Sequence, residues 1–205
     1  MKVLLVNGSP RPNGSTYTAL MEISNVLEQQ GVEAELFQVG NKPISGCIAC
    51  GKCYKVGRCV IEDPVNEFLD KAEEADAFVF GSPVHFAALS GSLASFLHRA
   101  FYAGLRGFRG KPGAGIVICR RGGATAAFDQ LNKYFTISQM PVVSSQYWNM
   151  AHGNSPDDVK QDLEGLQTMR VIGNNMVWLL KCLEAGKSAG IELPELETRE
   201  WTNFI

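Results

Sequence analysis

The chain has 205 residues, of which 45% are hydrophobic and 20% charged, with a formal net charge of -2. This composition predicts one domain with an apolar core and excludes a disordered chain. Lysines and arginines are scattered, so we expect no nucleic-acid partner. The first apolar run is only about as long as a strand, so we expect no signal peptide, no membrane span and a cytoplasmic protein.

Apolar runs alternate with segments of helical period along the chain. Strands are predicted at residues 2–7, 34–39, 76–81 and 114–119, with a weaker fifth at 142–144. Helices are predicted at residues 17–30, 90–102, 124–135 and 157–184, the last with a break near Gly173. The alternation predicts an α/β fold with a doubly wound parallel sheet, whose ligand lies beyond the carboxyl ends of the strands.

The domain is predicted to span residues 1–185, with a cysteine-rich loop at 46–60. Residues 186–205 form a tail in which Trp201 and Phe204 are large and aromatic. Side chains of this kind favour burial. We therefore expect the tail to pack on the domain or on a neighbouring subunit.

The loop between the first strand and the first helix reads NGSPRPNGST. Its polar donors are Ser9, Asn13, Ser15 and Thr16. Arg11 is its cation, and Gly14 allows a tight turn. Helix N-termini favour anions, so this loop predicts a phosphate site. The alternative is an ordinary helix start capped by Ser15 or Thr16. The loop has neither a Walker A lysine nor GxGxxG spacing, which disfavours ATP and dinucleotide binding by those motifs.

Two further loops follow strands three and four. The first reads GSPVHF, and its apolar and aromatic side chains, Pro83, Val84, His85 and Phe86, suit contact with a flat ring, although Gly, Ser and Pro are also common in ordinary turns after parallel strands. The second reads CRRGGAT and offers two cations and two glycines, Arg120, Arg121, Gly122 and Gly123. The glycines permit close approach of backbone amides to a ligand, and one arginine is expected to stabilise negative charge on it. His85 is either a general acid or a wall of the pocket.

Four of the six cysteines lie within thirteen residues, in CIACGKCYKVGRC. The predicted metal ligands are Cys47, Cys50, Cys53 and Cys59. Their number and compact spacing suit a [4Fe-4S] cluster. A zinc site and free or redox-active thiols are the alternatives.

Together, GSPRPNGST, GSPVHF with its following SGSLASFLHR helix, and CxxCxxCxxxxxC resemble the flavodoxin-like NAD(P)H-dependent FMN reductase superfamily, in its iron-sulfur flavoprotein branch. The resemblance covers about residues 2–145. It implies a five-stranded sheet of order 2-1-3-4-5, with the FMN phosphate bound by the first loop. Residues 83–86 would border the isoalloxazine ring and residues 120–124 complete the ring site. Relatives often have Tyr where His85 stands, which moves the expected ring contact towards Phe86.

The resemblance also implies hydride transfer from NAD(P)H to the flavin, with no catalytic side-chain nucleophile. FMN and a [4Fe-4S] cluster together would convert two-electron input into one-electron output to an unidentified acceptor. A homodimer or homotetramer is expected from the family. Two other functions remain open: a flavodoxin-type electron carrier without nicotinamide activity, and a thiol- or metal-binding redox sensor.

Overall fold

The computed structural model describes residues 1–203, except for the side chain of Arg106. Its centre is a five-stranded parallel sheet in the order β2-β1-β3-β4-β5, which confirms the predicted topology. The strands are β1 (Lys2–Asn7), β2 (Glu33–Gln38), β3 (Ala77–Pro83), β4 (Gly113–Cys119) and β5 (Met150–His152). Since all five strands are parallel, their carboxyl ends lie along one edge of the sheet.

Helices cover both faces of the sheet. They are α1 (Ser15–Gln29), α2 (Cys53–Val56), α3 (Pro64–Glu74), α4 (Gly91–Phe108), α5 (Ala124–Ile137), α6 (Pro156–Gln161) and α7 (Leu163–Ser188). α1 packs with α6 and α7 over one face. α3, α4 and α5 cover the other face, and the short α2 lies within the cysteine-rich loop.

The strand residues alternate between two apolar cores, as expected for a sheet covered on both sides. In β1, Leu4 and Val6 belong to the core under α3 to α5, whereas Val3 and Leu5 belong to the core under α1 and α7. The first core is rich in phenylalanine. Phe68 is its centre, with its ring edge-on to that of Phe96 at a centroid distance of 5.0 Å.

The predicted position of the fifth strand was wrong. Val142 forms only an isolated bridge with Gly113 at the start of β4, and the regular pairing with the end of β4 falls to Met150–His152. The chain leaves the sheet between these two contacts. The side chain of Asn149 fills the gap by donating a hydrogen bond to the Val143 carbonyl (3.3 Å).

The C-terminal helical region is broken at Asp162, not near Gly173 as predicted. Asp162 caps α7 by accepting a hydrogen bond from the Gly165 N–H (2.9 Å). Gly173 lies inside an unbroken helix, against α1. A Cβ atom there would come within 2.9 Å of the Val26 side chain, so the glycine serves close packing of the two helices.

α7 ends at Ser188, and residues 190–202 form no helix or strand. Leu193 of this tail lies directly over Gly110, and Trp201 is 76% exposed with the Arg199 guanidinium over its ring at 4.2 Å. Phe204 lies outside the described residues. Packing of the tail on the domain or on a neighbouring subunit stays a prediction. Within residues 1–203, the helices are too short or too polar to cross a bilayer.

Candidate functional site

The loops that follow β1, β3 and β4 meet at the carboxyl edge of the sheet. Gly8 donates its N–H to the Gly81 carbonyl (2.8 Å), and the Ser90 hydroxyl donates to the Gly8 carbonyl (2.7 Å). Val84 donates its N–H to the Ile118 carbonyl (2.9 Å), which ties the loop after β3, called the third loop, to β4. The structure therefore places the three predicted binding loops side by side.

The first loop, residues 8–14, is shaped by two side chains that the sequence analysis did not single out. The buried Asn7 accepts a hydrogen bond from the Ser9 N–H (3.1 Å) and donates to the Pro12 carbonyl (3.2 Å). Gln38, at the end of β2, donates to the Ser9 carbonyl (2.7 Å). Asn7 also donates to the Gln38 side chain (2.7 Å). The two side chains that hold the loop are thus bound to each other, and together they fix its shape.

The start of α1 has donors to spare. Its N-cap is Gly14, with no side-chain cap, so the alternative of Ser15 or Thr16 as N-cap was wrong. The first N–H groups of a helix have no partner within that helix. In addition, the Thr16 hydroxyl is buried and has no hydrogen-bond partner among the described residues. An anion at this helix start would find both the donors and the favourable end of the helix dipole.

The remaining polar side chains of the first loop differ in availability. Ser9 is buried, and its hydroxyl accepts the Arg11 N–H (3.1 Å). Arg11 and Asn13 are exposed and Ser15 is half-buried. Across the described residues, these last three side chains form no hydrogen bond or ion pair, so they are free to contact a ligand.

The third loop presents Phe86 on a strained turn. His85 and Ala88 exchange backbone hydrogen bonds of 2.9 Å in both directions, so Phe86 and Ala87 form the tip of a two-residue turn. Both tip residues have positive φ, 51° and 59°, although neither is glycine. Such backbone conformations cost about 1–3 kcal/mol each and are concentrated at functional sites. The Phe86 ring is fully exposed (105%), so the turn presents an aromatic surface to solvent.

The loop after β4, called the fourth loop, supports this turn. Gly123, the N-cap of α5, has φ of 87°, and a Cβ atom there would lie 2.7 Å from the Ala87 Cα atom. Only glycine allows both this conformation and this close approach. The α5 N-terminus has no side-chain cap either. Arg120 and Arg121 are exposed and form no ion pair within the described part of the chain. The edge thus combines exposed cations with an exposed aromatic ring.

The four clustered cysteines lie in the segment between β2 and α3. All four line one cavity of about 30 Å³, together with Arg99 and Tyr102. Cys47 and Cys50 are exposed, while Cys53 and Cys59 are half-buried. Burial raises the pKa of the Cys53 thiol, and the neighbouring cysteines raise it further. The Ala49 N–H already donates to the Cys47 sulfur (3.4 Å).

Cys59 is the most firmly placed of the four. The buried Asn66 accepts from the Cys59 N–H (3.0 Å) and donates to its carbonyl (2.9 Å). On the other side, Arg99 donates its Nε–H to the Cys59 sulfur (3.2 Å). Burial lowers the pKa of Arg99, but hydrogen bonds to Asp63 and Cys59 raise it, and the net direction is upward. Arg99 therefore remains a cation beside this sulfur.

The cysteine-rich loop fits an iron-sulfur cluster in the number and kind of its donors. In the geometry of residues 1–203, however, no three Cys, His, Asp or Glu side chains stand ready to hold a metal ion. The four cysteines nevertheless line one cavity, which makes the loop a candidate cluster site.

Cys119 and Cys182 take no part in this group. Cys119 is buried at the end of β4, and burial raises the pKa of its thiol. Cys182 is exposed on α7.

The sheet order and the ligand-accessible edge define a flavodoxin-like protein. Solved structures share this fold. The crystal structure of RosB with a bound flavin-derived intermediate has a TM-score of 0.71 and 15% identity, covering 100% of this chain and 92% of that one. A flavodoxin from the domain Archaea has a TM-score of 0.60 and 19% identity, covering 88% and 99%.

Sequence comparison narrows the class. Residues 1–155 match the model of the NADPH-dependent FMN reductase family. An iron-sulfur flavoprotein of Methanocaldococcus jannaschii is 34% identical over 193 residues, covering 90% of this chain and 100% of its own. A second one from the same organism is 29% identical, covering 88% and 98%. The chain belongs to the NADPH-dependent FMN reductase family, in its iron-sulfur flavoprotein branch, as the sequence motifs predicted.

Proposed function

We propose that the protein binds FMN at the carboxyl edge of its sheet and oxidises a reduced nicotinamide nucleotide, passing the electrons to an acceptor. The observation that carries this proposal is the meeting of three loops that offer complementary surfaces. One offers an uncapped helix start, one an exposed phenylalanine and one two unpaired arginines. An anionic group joined to a flat ring matches these surfaces, and membership of an FMN-binding oxidoreductase family supports the choice of ligand.

In this proposal the first loop binds the FMN phosphate. The N–H groups at the start of α1, the Thr16 hydroxyl and the free side chains of Arg11, Asn13 and Ser15 supply the donors. Asn7 and Gln38 keep the loop in this shape before the ligand arrives. Preorganisation of this kind lowers the entropic cost of binding.

The third and fourth loops bind the ring. Phe86 and the neighbouring Val84 supply its apolar wall, and His85 is a second, exposed wall residue. Arg120 or Arg121 would stabilise negative charge on the reduced ring. When bound, FMN supplies hydride acceptance and one-electron release, and the protein supplies orientation and charge.

We further propose that Cys47, Cys50, Cys53 and Cys59 hold a [4Fe-4S] cluster. The four thiols share one cavity, and four sulfurs are the ligand set that such a cluster requires. Anaerobic purification followed by an absorption spectrum, with iron, sulfide and flavin analysis, tests both cofactors at once. Flavin with iron supports both proposals, flavin without iron rejects the cluster, and iron without flavin rejects the FMN site.

Nicotinamide use is tested separately, because a flavodoxin-type carrier would also bind FMN. We expect NADH or NADPH to bleach the flavin absorbance under anaerobic conditions and to support steady reduction of ferricyanide. A flavin that is reduced by dithionite but by neither nucleotide would show that the protein is a carrier.

The phosphate site is tested by the double variant Arg11→Ala and Ser15→Ala. Losing a charged donor and a hydroxyl donor should weaken FMN binding about 100-fold, measured by quenching of flavin fluorescence. Arg170→Ala is the control, since Arg170 lies on α7 and pairs with Glu22 of α1, and neither residue belongs to the first loop. Equal FMN affinity in the double variant and the control would contradict the placement of the phosphate.

A further inference from the structure

The side chain of Arg99 reaches from α4 into the cysteine-rich loop. Its side chain is only 1% exposed. Its Nε–H donates to the Cys59 sulfur (3.2 Å), while its Nη atoms donate to the carbonyls of Ser45 (3.3 Å) and Ile61 (3.0 Å). Every nitrogen of this guanidinium therefore contacts the segment that carries the cysteines.

Asp63 balances the charge of Arg99. Its two carboxylate oxygens accept from the two Nη atoms, one of them at 2.9 Å. Asp63 also caps α3 by accepting the Val65 N–H (3.1 Å). The ion pair explains why a cation is tolerated in the core. It does not explain the Nε–H bond, which is directed at sulfur and not at oxygen.

A neutral thiol is a weak acceptor for such a donor. A thiolate is a much stronger one, because hydrogen bonds to ionised acceptors are about twice as strong as neutral ones. The Arg99 donor is thus best used when the Cys59 sulfur carries negative charge, as it does when it ligates a metal. The same cavity contains the other three cysteines.

We propose that Arg99 is a positioning residue that holds the Cys59 sulfur and raises the reduction potential of the cluster bound there. This inference rests on the proposed cluster. A bound cluster would accept one electron, which the reduced flavin would supply; no bond would break, and the negative charge on the sulfurs would increase. A cationic N–H donor at one sulfur favours that charge, and hydrogen bonds to sulfur are one of the determinants of cluster potential.

α4 connects this residue to the flavin edge. The helix begins after Ser90, whose hydroxyl bonds the first loop at Gly8. Arg99 follows nine residues later, which is about 14 Å along a helix axis. FMN content is therefore measured in every variant, so that an effect at the cluster can be separated from an effect at the flavin.

The test compares Arg99→Gln with Asp63→Asn in the holoprotein, reconstituted anaerobically with FMN, iron and sulfide. Both variants break the ion pair, but only the first removes the donor to sulfur. Asn at position 63 can still cap the helix. Potentials are measured by redox titration monitored by electron paramagnetic resonance. We expect Arg99→Gln to lower the equilibrium constant for reduction about tenfold, which is about 59 mV for one electron. Asp63→Asn should not lower the potential.

Two outcomes would overturn the inference. One is an unchanged potential in an Arg99→Gln protein that retains its iron, and the other is an equal fall in both variants. If Arg99→Gln fails to fold or to keep its iron, Arg99→Lys replaces it, since lysine keeps the charge and loses the fixed fork of donors. A lowered potential in the lysine variant supports the inference, whereas the wild-type value shows that the charge alone suffices and rejects the role of the directed Nε–H donor. Wild-type protein without iron would instead reject the proposed cluster.

Discussion

Gly123 offers a sharp test of how the proposed ring site is built. It starts α5 with φ of 87°, in the left-handed region, and its Cα atom faces the backbone of the turn that carries Phe86. A Cβ atom added there would lie 2.7 Å from the Ala87 Cα atom and 2.9 Å from its Cβ atom. These are atoms of the backbone or next to it, which cannot rotate away as a flexible side chain would.

The expected magnitude for Gly123→Ala has two parts. A left-handed conformation costs an alanine about 1–2 kcal/mol. Forcing an extra methyl group into a packed region costs about 1–3 kcal/mol. Together they predict a loss of about 2–5 kcal/mol in the free energy of unfolding. For a domain of this size, that loss lowers the melting temperature by about 4–20 °C.

Gly122→Ala is the matched control for this variant. Gly122 is the preceding residue, but its φ is not positive and a Cβ atom there would meet nothing within 4 Å. Urea unfolding of both variants, at one fixed FMN concentration and again without flavin, measures the difference. Without flavin, we expect Gly122→Ala to lie within about 0.5 kcal/mol of the wild type. Equal stability of the two alanine variants would show that the close contact between the third and fourth loops is not needed.

Two further predictions concern the scaffold. Gly173→Ala should lower the free energy of unfolding by about 1 kcal/mol or more, because its methyl group would meet Val26 at 2.9 Å. Gly186→Ala lies on the same helix with nothing closer than 3.9 Å, so it should raise the free energy of unfolding by up to about 1 kcal/mol. Equal effects of the two substitutions in thermal unfolding would contradict the close packing of α7 on α1. Hydrogen bonds from Lys2 and Lys71 lower the pKa of Glu35 below its usual value of 4.5. The carboxylate therefore stabilises the fold above pH 4.5, and this stabilisation is lost as the pH falls through the lowered pKa. Glu35→Gln should therefore cost about 1 kcal/mol or less at pH 7 and progressively less below pH 4.5, and a difference that is constant with pH would refute this role.

Most of the sheet could be predicted from the sequence because β1, β3 and β4 are buried on both faces. Runs such as residues 2–7 and 114–119 are apolar without alternation, and each is followed by a helical period. β5 escaped prediction because it has three residues and pairs only with the end of β4. The sequence signal at 142–144 marks a real but isolated bridge at the other end of β4. A pattern of hydrophobicity cannot reveal that the chain leaves the sheet between two contacts.

The candidate loops could be predicted because parallel strands bring their carboxyl ends to one edge. The residues that shape those loops could not. Asn7 and Gln38 are 31 positions apart and meet only because β1 pairs with β2 in register. A polar residue at the end of a buried strand, such as Asn7, is the only local hint of this contact.

Arg99 shows why a motif alone does not describe the cysteine site. Arg99 is the last residue of the SGSLASFLHR segment, 40 positions after Cys59. Helical periodicity alone would treat it as one of several polar residues on α4. Folding places it in the core, and a buried cation is stable only with partners. Those partners all come from the segment between β2 and α3. The spacing of the four cysteines sets which sulfurs could share the proposed cluster, whereas the charge beside Cys59 is supplied by a distant helix that also begins at the proposed FMN site.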